Sequence, residues 1–476
     1  MTAESEVPTH GVSGGLVLSN ATVVKMDAAR RVFRGDVVVR GDRVAQLGPG
    51  VTAPRAQGPW RLIDCTGRVV LPGFVQTHVH LTQTLFRHLA CDLDLLSWLR
   101  RRIWPLEAAH DEQTNRAAAR LGVAELLTGG TTTILSMETV HHTEATFEAA
   151  HELGIRAHIG KAMMDQGEGV PAELRESTDE SLAETRRLCS RWHGAAGGRL
   201  HYAVAPRFLF SCSERLLRRA ARLAEECGCL LHTHASESKD EVALSLAAFG
   251  CGCIEALNHV AGCASTGTVL AHCVHPQAGE IAILRELDAA VAHCPSSNLK
   301  LASGIAPVRA YLDAGIPVGL GADGAPCNDR LDALGEMRLA ALLGQLKSGA
   351  GSLTAREVVE LATVGGARSL RADHEIGSLE VGKKADLVVL DPGRGYSSAP
   401  PPRFTGDTDA AENGSSAAAE ELYAWIAFTC SPQQVEHVFV DGAHVVRGGD
   451  LMSAHTGGIR EEAARAIALC RRRAGI

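Results

Sequence analysis

The sequence predicts a (β/α)8 TIM-like barrel with a small β-sandwich domain built from both chain ends. Three observations carry this reading. Between about residues 71 and 370, eight short apolar runs alternate with Ala/Leu/Glu/Arg-rich stretches of helical period. Turn-punctuated, β-rich segments flank that middle on both sides. Most of the chain's histidine pairs and acidic residues of interest stand where the apolar runs end, the side of such barrels that carries catalysis.

Residues 15–70 hold LVLSNATVVKM, DVVVRGDRVAQLG and WRLIDCTGRVVLPG, with Gly and Asp at the breaks, and read as the first part of the small β domain. The barrel is assigned to 71–370. Its eight runs are LPGFVQTHVH, TTTILSME, IRAHIGK, LHYAVAP, CLLHTH, TVLAHC, AAVAHCP and IPVGLGAD, with helical stretches such as SERLLRRAARLAEECG between them. An open doubly wound sheet is the alternative, weakened because no G-x-G-x-x-G follows a first strand. Residues 371–450 return to the β style in GSLEVGKKADLVVLD and VEHVFVDGAHVVRGGDL. Within them, 392–420 is rich in Pro, Gly, Ser and Ala and reads as a flexible insertion. Residues 451–476 close the chain with an amphipathic helix, read as solvated rather than as a membrane or partner site.

Of 476 residues, 45% are apolar and 21% charged, enough to bury a large core without a disulfide or metal staple. Lys and Arg number 47 against 55 Asp and Glu, a balance of -8 that argues against a nucleic-acid-backbone binder. No apolar run reaches the length of a membrane-spanning helix. The opening MTAESEVPTH lacks the basic start and apolar run of a signal peptide, so a cytoplasmic location is expected. Fourteen cysteines are too sparse for a disulfide scaffold. Cys227/Cys229 and Cys251/Cys253 are C-x-C pairs, not paired C-x-x-C units, and most cysteines read as small core residues.

The first run ends His78-x-His80, the fifth His232-x-His234 followed by Glu237, the sixth at His272 with His275 beyond, and the eighth at Asp323. A two-residue spacing in a strand puts both side chains on one face. Three imidazoles and a carboxylate suit a catalytic site for a divalent metal, with His78, His80, His234 and Asp323 as ligands. Such a metal lowers the pKa of bound water to about 7. Glu237 is placed to act as general acid/base and His272 to orient the water. His232 lies deeper and reads as structural. A role for His275 stays open.

The segments PGFVQTHVHLTQTLFR, HTHASE, LAHCVHP, HCPSSNLKLASGIAP and GLGADGAPCND resemble the amidohydrolase superfamily, in its metal-dependent purine and aminopyrimidine deaminase branch. The likeness extends from about residue 15 to 450. It implies one divalent metal ion, zinc first, with iron or manganese also compatible with a three-His, one-Asp set. Binuclear relatives carry a lysine at the end of strand four; YAVAPRF has none. The implied reaction is hydrolytic deamination of a purine-type ring. A metal-activated water attacks the carbon bearing the amine, its proton passing to Asp323, and Glu237 protonates the adjacent ring nitrogen. His272 holds the water.

For the substrate, HLACDLDLLSWLRRRIWPLE resembles deaminases acting on methylthioadenosine, S-adenosylhomocysteine and 5'-deoxyadenosine, in which Glu107 would bind ribose hydroxyls. Gln83, Arg207 and GKAMMD resemble guanine deaminases, in which Gln83 and Arg207 would grip the purine edge. Lys161 is read as a further substrate contact and Trp104 as a stacking surface. An adenine nucleoside is the first reading, guanine or 8-oxoguanine the second, and an s-triazine the third. A non-catalytic scaffold and a ring-opening hydrolase are the competing classes; the intact ligand set argues against the scaffold. No membrane or nucleic-acid partner is expected, and a homo-oligomer is the family-level expectation.

Overall fold

The computed structural model describes residues 15–51, 60–261, 267–395 and 417–476. The opening decapeptide, and 396–416 within the segment read as an insertion, lie outside the described residues.

All eight apolar runs become strands: Phe74–His80, Thr131–Glu138, Arg156–Met163, Leu200–Pro206, Leu230–Ala235, Thr268–His272, Ala290–His293 and Val318–Leu320. Neighbours pair in parallel around the ring. Leu320 against Gln76 closes it. The Gln76 side chain is buried at this seam, donating to Thr131 Oγ1 and the Leu331 carbonyl and accepting from the Ala322 amide. One residue further, Asp323–Gly324 pairs with Val79 and His80 of the first strand. That short extension lays Asp323 beside the His-x-His pair.

The helices between strands start and stop by local chemistry. Asp111, Ser177 and Thr354 each form a reciprocal capping box at a helix start. Ser213 and Ser238 accept from the third helical amide. Gly154 and Gly228 end their helices at φ of +87° and +67°, a backbone state costly for other residues, and turn the chain into the next strand. The outward faces of the strands and the inward faces of the helices share one apolar core.

The second sheet takes strands from both chain ends. Gly15–Val24, Val32–Arg40, Arg43–Gly48, Arg61–Asp64 and Val69–Pro72 come from the N-terminal side. Leu387–Leu390, Val435–Val440, Ala443–Arg447 and Asp450–Leu451 come from the C-terminal side. Among the described residues these nine strands make one mixed sheet, joined where Val69–Pro72 pairs antiparallel with Leu387–Leu390. Leu18, Val23, Val37, Val39, Leu387 and Phe439 share a single apolar cluster, so neither half buries its face alone.

The closing helix, Thr456–Ala474, is not free in solvent. Ile459, Ala463, Ala466 and Cys470 are buried, and Arg120–Glu462 and Arg473–Asp111 ion pairs tie it to the helix Glu112–Thr128. Among the described residues no single helix is long and apolar enough to cross a membrane. Ten of the thirteen described cysteines are buried, which fits small core residues.

Arg156 fastens the small sheet to the barrel. It is buried at the start of the third barrel strand and grips Asp386 with two bonds of 2.8 and 3.1 Å, and Asp441 with a third. Asp386 is also buried and takes the Asp441 amide at 2.8 Å. Removing one partner from a buried pair strands the other charge. Arg156→Ala is therefore expected to destabilise the fold by about 3–5 kcal/mol. The measurement is the urea unfolding midpoint against the parent chain, and an unchanged midpoint would refute the role.

Candidate metal centre and active-site cavity

His78, His80, His234 and Asp323 meet at the C-terminal mouth of the barrel. Each offers one ligand atom, all within 4.8 Å of one another. Every imidazole is held from behind through Nδ1. His80 Nδ1 faces the Met137 carbonyl, and His234 Nδ1 faces the Arg207 carbonyl at 2.8 Å. A carbonyl only accepts, so both Nδ1 atoms carry a proton, and in the neutral ring each Nε2 presents a lone pair.

His78 reaches the same state through a relay. His232 Nδ1 lies 3.0 Å from the Val269 carbonyl and must donate to it. His232 Nε2 is then an acceptor and takes its proton from His78 Nδ1 at 2.8 Å. His232, read from sequence as structural, thus sets the tautomer of a proposed ligand. Burial pushes His78 down to about 4, and pushes His232 and His234 well below the usual range, so all three are neutral at pH 7.

This leaves an unsatisfied centre. His78 Nε2 and His80 Nε2 stand 3.1 and 3.2 Å from Asp323 Oδ1, acceptor facing acceptor. His78 Nε2 is buried without a hydrogen-bond partner. Asp323 is buried among these groups. Ser297 donates to its Oδ2 at 2.6 Å, leaving Oδ1 for the centre. Only a cation satisfies three lone pairs converging on a carboxylate, and the donor set fits a borderline divalent metal.

Glu237 and His272 flank the centre. His272 Nδ1 bonds Asn298 Oδ1 at 2.8 Å, so its Nε2 also faces inward, 3.6 Å from Glu237 and 3.8 Å from Asp323. Burial pulls His272 down, yet the Glu237 and Asp323 carboxylates hold it above its usual value. Burial pushes Glu237 up to about 7, with His272 pulling back and Asp323 and Glu241 adding to the rise. The Glu237 amide bonds Glu241 at 2.7 Å, and Ser303 Oγ reaches its carboxylate at 3.5 Å. At neutral pH such a group both gives and takes a proton.

A narrow cleft opens above the centre, partly closed over by the side chains that line it. Gln83 and Arg207 line it, as do His80, His234, Glu237, His272 and Asp323. Its apolar wall is Leu95, Trp98, Leu99, Phe208 and Leu301.

Three expected substrate contacts are placed differently. Trp104 is buried in the cluster behind the wall, and Trp98 supplies the aromatic surface instead. Lys161 is fully buried and bonds Glu176 and Ser181, on the strand face it shares with Ile159 and Met163 that packs against the helices. Glu107 sits behind Gln83 and Arg207 rather than on the cavity wall. Arg207 grips it with two bonds, one of 3.1 Å, and Gln83 Nε2 donates to it at 2.8 Å. His275 turns away and bonds the Ser303 carbonyl. Sequence reasoning did not single out Trp98, Asn298, Ser303 or Glu241. Asn298 and Ser303 do lie within HCPSSNLKLASGIAP, so the signal for them was present.

A model of the amidohydrolase family matches residues 69–445. The 5-methylthioadenosine/S-adenosylhomocysteine deaminase of Symbiobacterium thermophilum is 37% identical over 430 residues, covering 90% of this chain and 92% of the relative. The 5'-deoxyadenosine deaminase of Methanothermobacter thermautotrophicus is 36% identical over 425 residues, covering 88% and 91%. A crystal structure of an adenosine deaminase from Xanthomonas campestris with bound zinc superposes with a TM-score of 0.85 at 27% identity, covering 96% and 98%.

His234→Ala removes one converging lone pair, and the barrel-mouth metal is expected to be lost. Full occupancy by elemental analysis would refute that ligand. Glu237→Gln keeps the shape but not the proton, so turnover should fall by about 10²–10⁴-fold with metal content unchanged. Near-normal turnover would remove Glu237 from the chemistry.

Proposed function

The chain belongs to the amidohydrolase family and is a metal-dependent hydrolase of C–N bonds; from that premise we propose that it deaminates adenine nucleosides such as 5'-deoxyadenosine, methylthioadenosine or S-adenosylhomocysteine. The carrying observation is the centre itself: neutral imidazoles aimed at one carboxylate, beside a buried carboxyl poised near neutrality. His78, His80, His234 and Asp323 would hold a divalent metal, with zinc as our assignment, which would supply Lewis acidity and an acidified water.

The chain's own residues then divide the work. Glu237 hands a proton to the ring nitrogen next to the amine-bearing carbon. His272, fixed by Asn298, directs its Nε2 to the attacking oxygen. Asp323 takes the proton that the water releases and passes it to the amine, which leaves as ammonia, while the hydroxyl proton of the adduct returns to Glu237. Trp98, Leu95 and Leu99 cover the ring and exclude bulk water, which strengthens each of these interactions. Gln83 Oε1 is buried without a partner, because the Nε2 bond to Glu107 fixes the amide's orientation. A substrate donor satisfies it, a ribose hydroxyl in this reading. Glu107 supports that grip from behind and reaches a diol only by releasing one of its present bonds.

One observation favours guanine as the second reading. With Glu107 committed to Arg207 and Gln83, the cavity wall on that side presents Gln83 and Arg207, which suit a ring N–H and a carbonyl.

The test is ammonia release by the metal-loaded protein on 5'-deoxyadenosine, methylthioadenosine, S-adenosylhomocysteine and guanine. At least about 100-fold higher kcat/KM for the nucleosides is expected, a difference of about 2.7 kcal/mol in transition-state binding. Activity on guanine alone would transfer the assignment to the second reading. Product formation without ammonia would overturn deamination.

A further inference from the structure

A second cluster of ligand-type side chains lies at the opposite end of the barrel. Cys189 sits in the last turn of the helix Thr178–Trp192, and His193 caps that helix. Cys227 ends the helix Glu214–Cys227, Gly228 reverses the chain, and Cys229 leads into the strand Leu230–Ala235. The spacings are thus C-x3-H and C-x-C, with Gly228 in the left-handed region between the second pair.

The ligand atoms are close. Cys189 Sγ lies 3.4 Å from Cys229 Sγ, and Cys229 Sγ lies 3.3 Å from His193 Nδ1. All three fall within 4.8 Å of one another. Cys227 lies two residues before Cys229, outside that group of three. Around a tetrahedral ion with metal–sulfur bonds of about 2.3 Å, neighbouring sulfurs stand about 3.8 Å apart, so an ion would need to spread this cluster by only a few tenths of an ångström. Cys189 and Cys229 are buried, while Cys227 is partly exposed and leaves an entry path. The Tyr202 amide also points at His193 Nδ1, at 3.3 Å, and a bound cation would displace that long contact.

We propose that Cys189, Cys229 and His193, with the neighbouring Cys227 recruited as fourth ligand, form a closed structural site for a thiophilic divalent cation, zinc first. Three thiolates and one imidazole complete a tetrahedral shell and leave no position for substrate. Such a site joins two barrel helices to the fifth strand at its N-terminal end. Cys229 and His234 stand five residues apart on that strand, about 16 Å, so the site is separate from the catalytic mouth.

Cobalt(II) tests this directly. The mouth has only nitrogen and oxygen ligands, so intense thiolate-to-metal charge-transfer absorption would report the second site alone. We expect that absorption in the cobalt-loaded full chain, with two metal equivalents per chain. In Cys189→Ser/Cys229→Ser both the absorption and one equivalent should be lost, with ammonia release kept. In Cys327→Ser, whose thiol lies near the mouth, the absorption should persist. Three results would overturn the proposal: no charge-transfer absorption in the parent chain, its survival in the double variant, or a Cys189–Cys229 disulfide in the protein as purified, seen by mass spectrometry. Should the double variant fail to fold, the parent chain's absorption and metal count still decide.

Discussion

The structure is organised around lone pairs that have nowhere else to go. Four imidazoles at the barrel mouth are anchored through Nδ1 to carbonyls, to an amide oxygen or to another histidine. Anchoring fixes the tautomer, and the tautomer aims every Nε2 at the same small volume as Asp323 Oδ1. Burial keeps His78 and His234 neutral, which is the state a cation requires. Without a cation the arrangement sets acceptor against acceptor in a low-dielectric site. The surrounding barrel therefore has to hold the centre in place.

Backbone geometry shows where that cost falls. Ser236, His272, Cys273 and Asp323 all adopt positive φ, at 51°, 71°, 44° and 60°. They cluster at the ends of strands five, six and eight. Each such residue costs on the order of 1–3 kcal/mol and persists only where the surroundings over-determine it. Here the surroundings are the closed ring and the Gln76 seam, which pins Ala322 one residue before Asp323. His272 and Asp323, two of these four residues, place their side chains at the centre.

How much of this was legible follows from what is local. Eight apolar runs and the period-2 His-x-His pairs are local properties, and they located the strands and the cluster of metal-type ligands. Lys161 was misplaced by one step of the same period. Ala157, Ile159 and Met163 share its outward face, and that alternation was readable from the strand itself. The choice between Trp98 and Trp104 was not. They stand six residues apart on a helical segment with a π-turn between them, and only the packing of that segment over the mouth sets its phase. The Glu107–Arg207 pair joins residues a hundred positions apart, and no local pattern announces it.

That pair bears on selectivity. Glu107 and Arg207 are both buried, and a buried ion pair persists only when further hydrogen bonds satisfy its remaining groups. Gln83 supplies one through Nε2 and is left with an unpaired Oε1 packed beside Gly324. The three side chains therefore act as one unit with a single unmet demand, for a donor. A substrate that meets it gains a bond without breaking the pair. One that offers only acceptors leaves a buried oxygen facing another oxygen, at a cost of about 1–3 kcal/mol. Hydrogen-bond polarity at this wall thus sets it apart from the apolar side of the cavity, Leu95, Trp98, Leu99, Phe208 and Leu301, which offers packing surface alone.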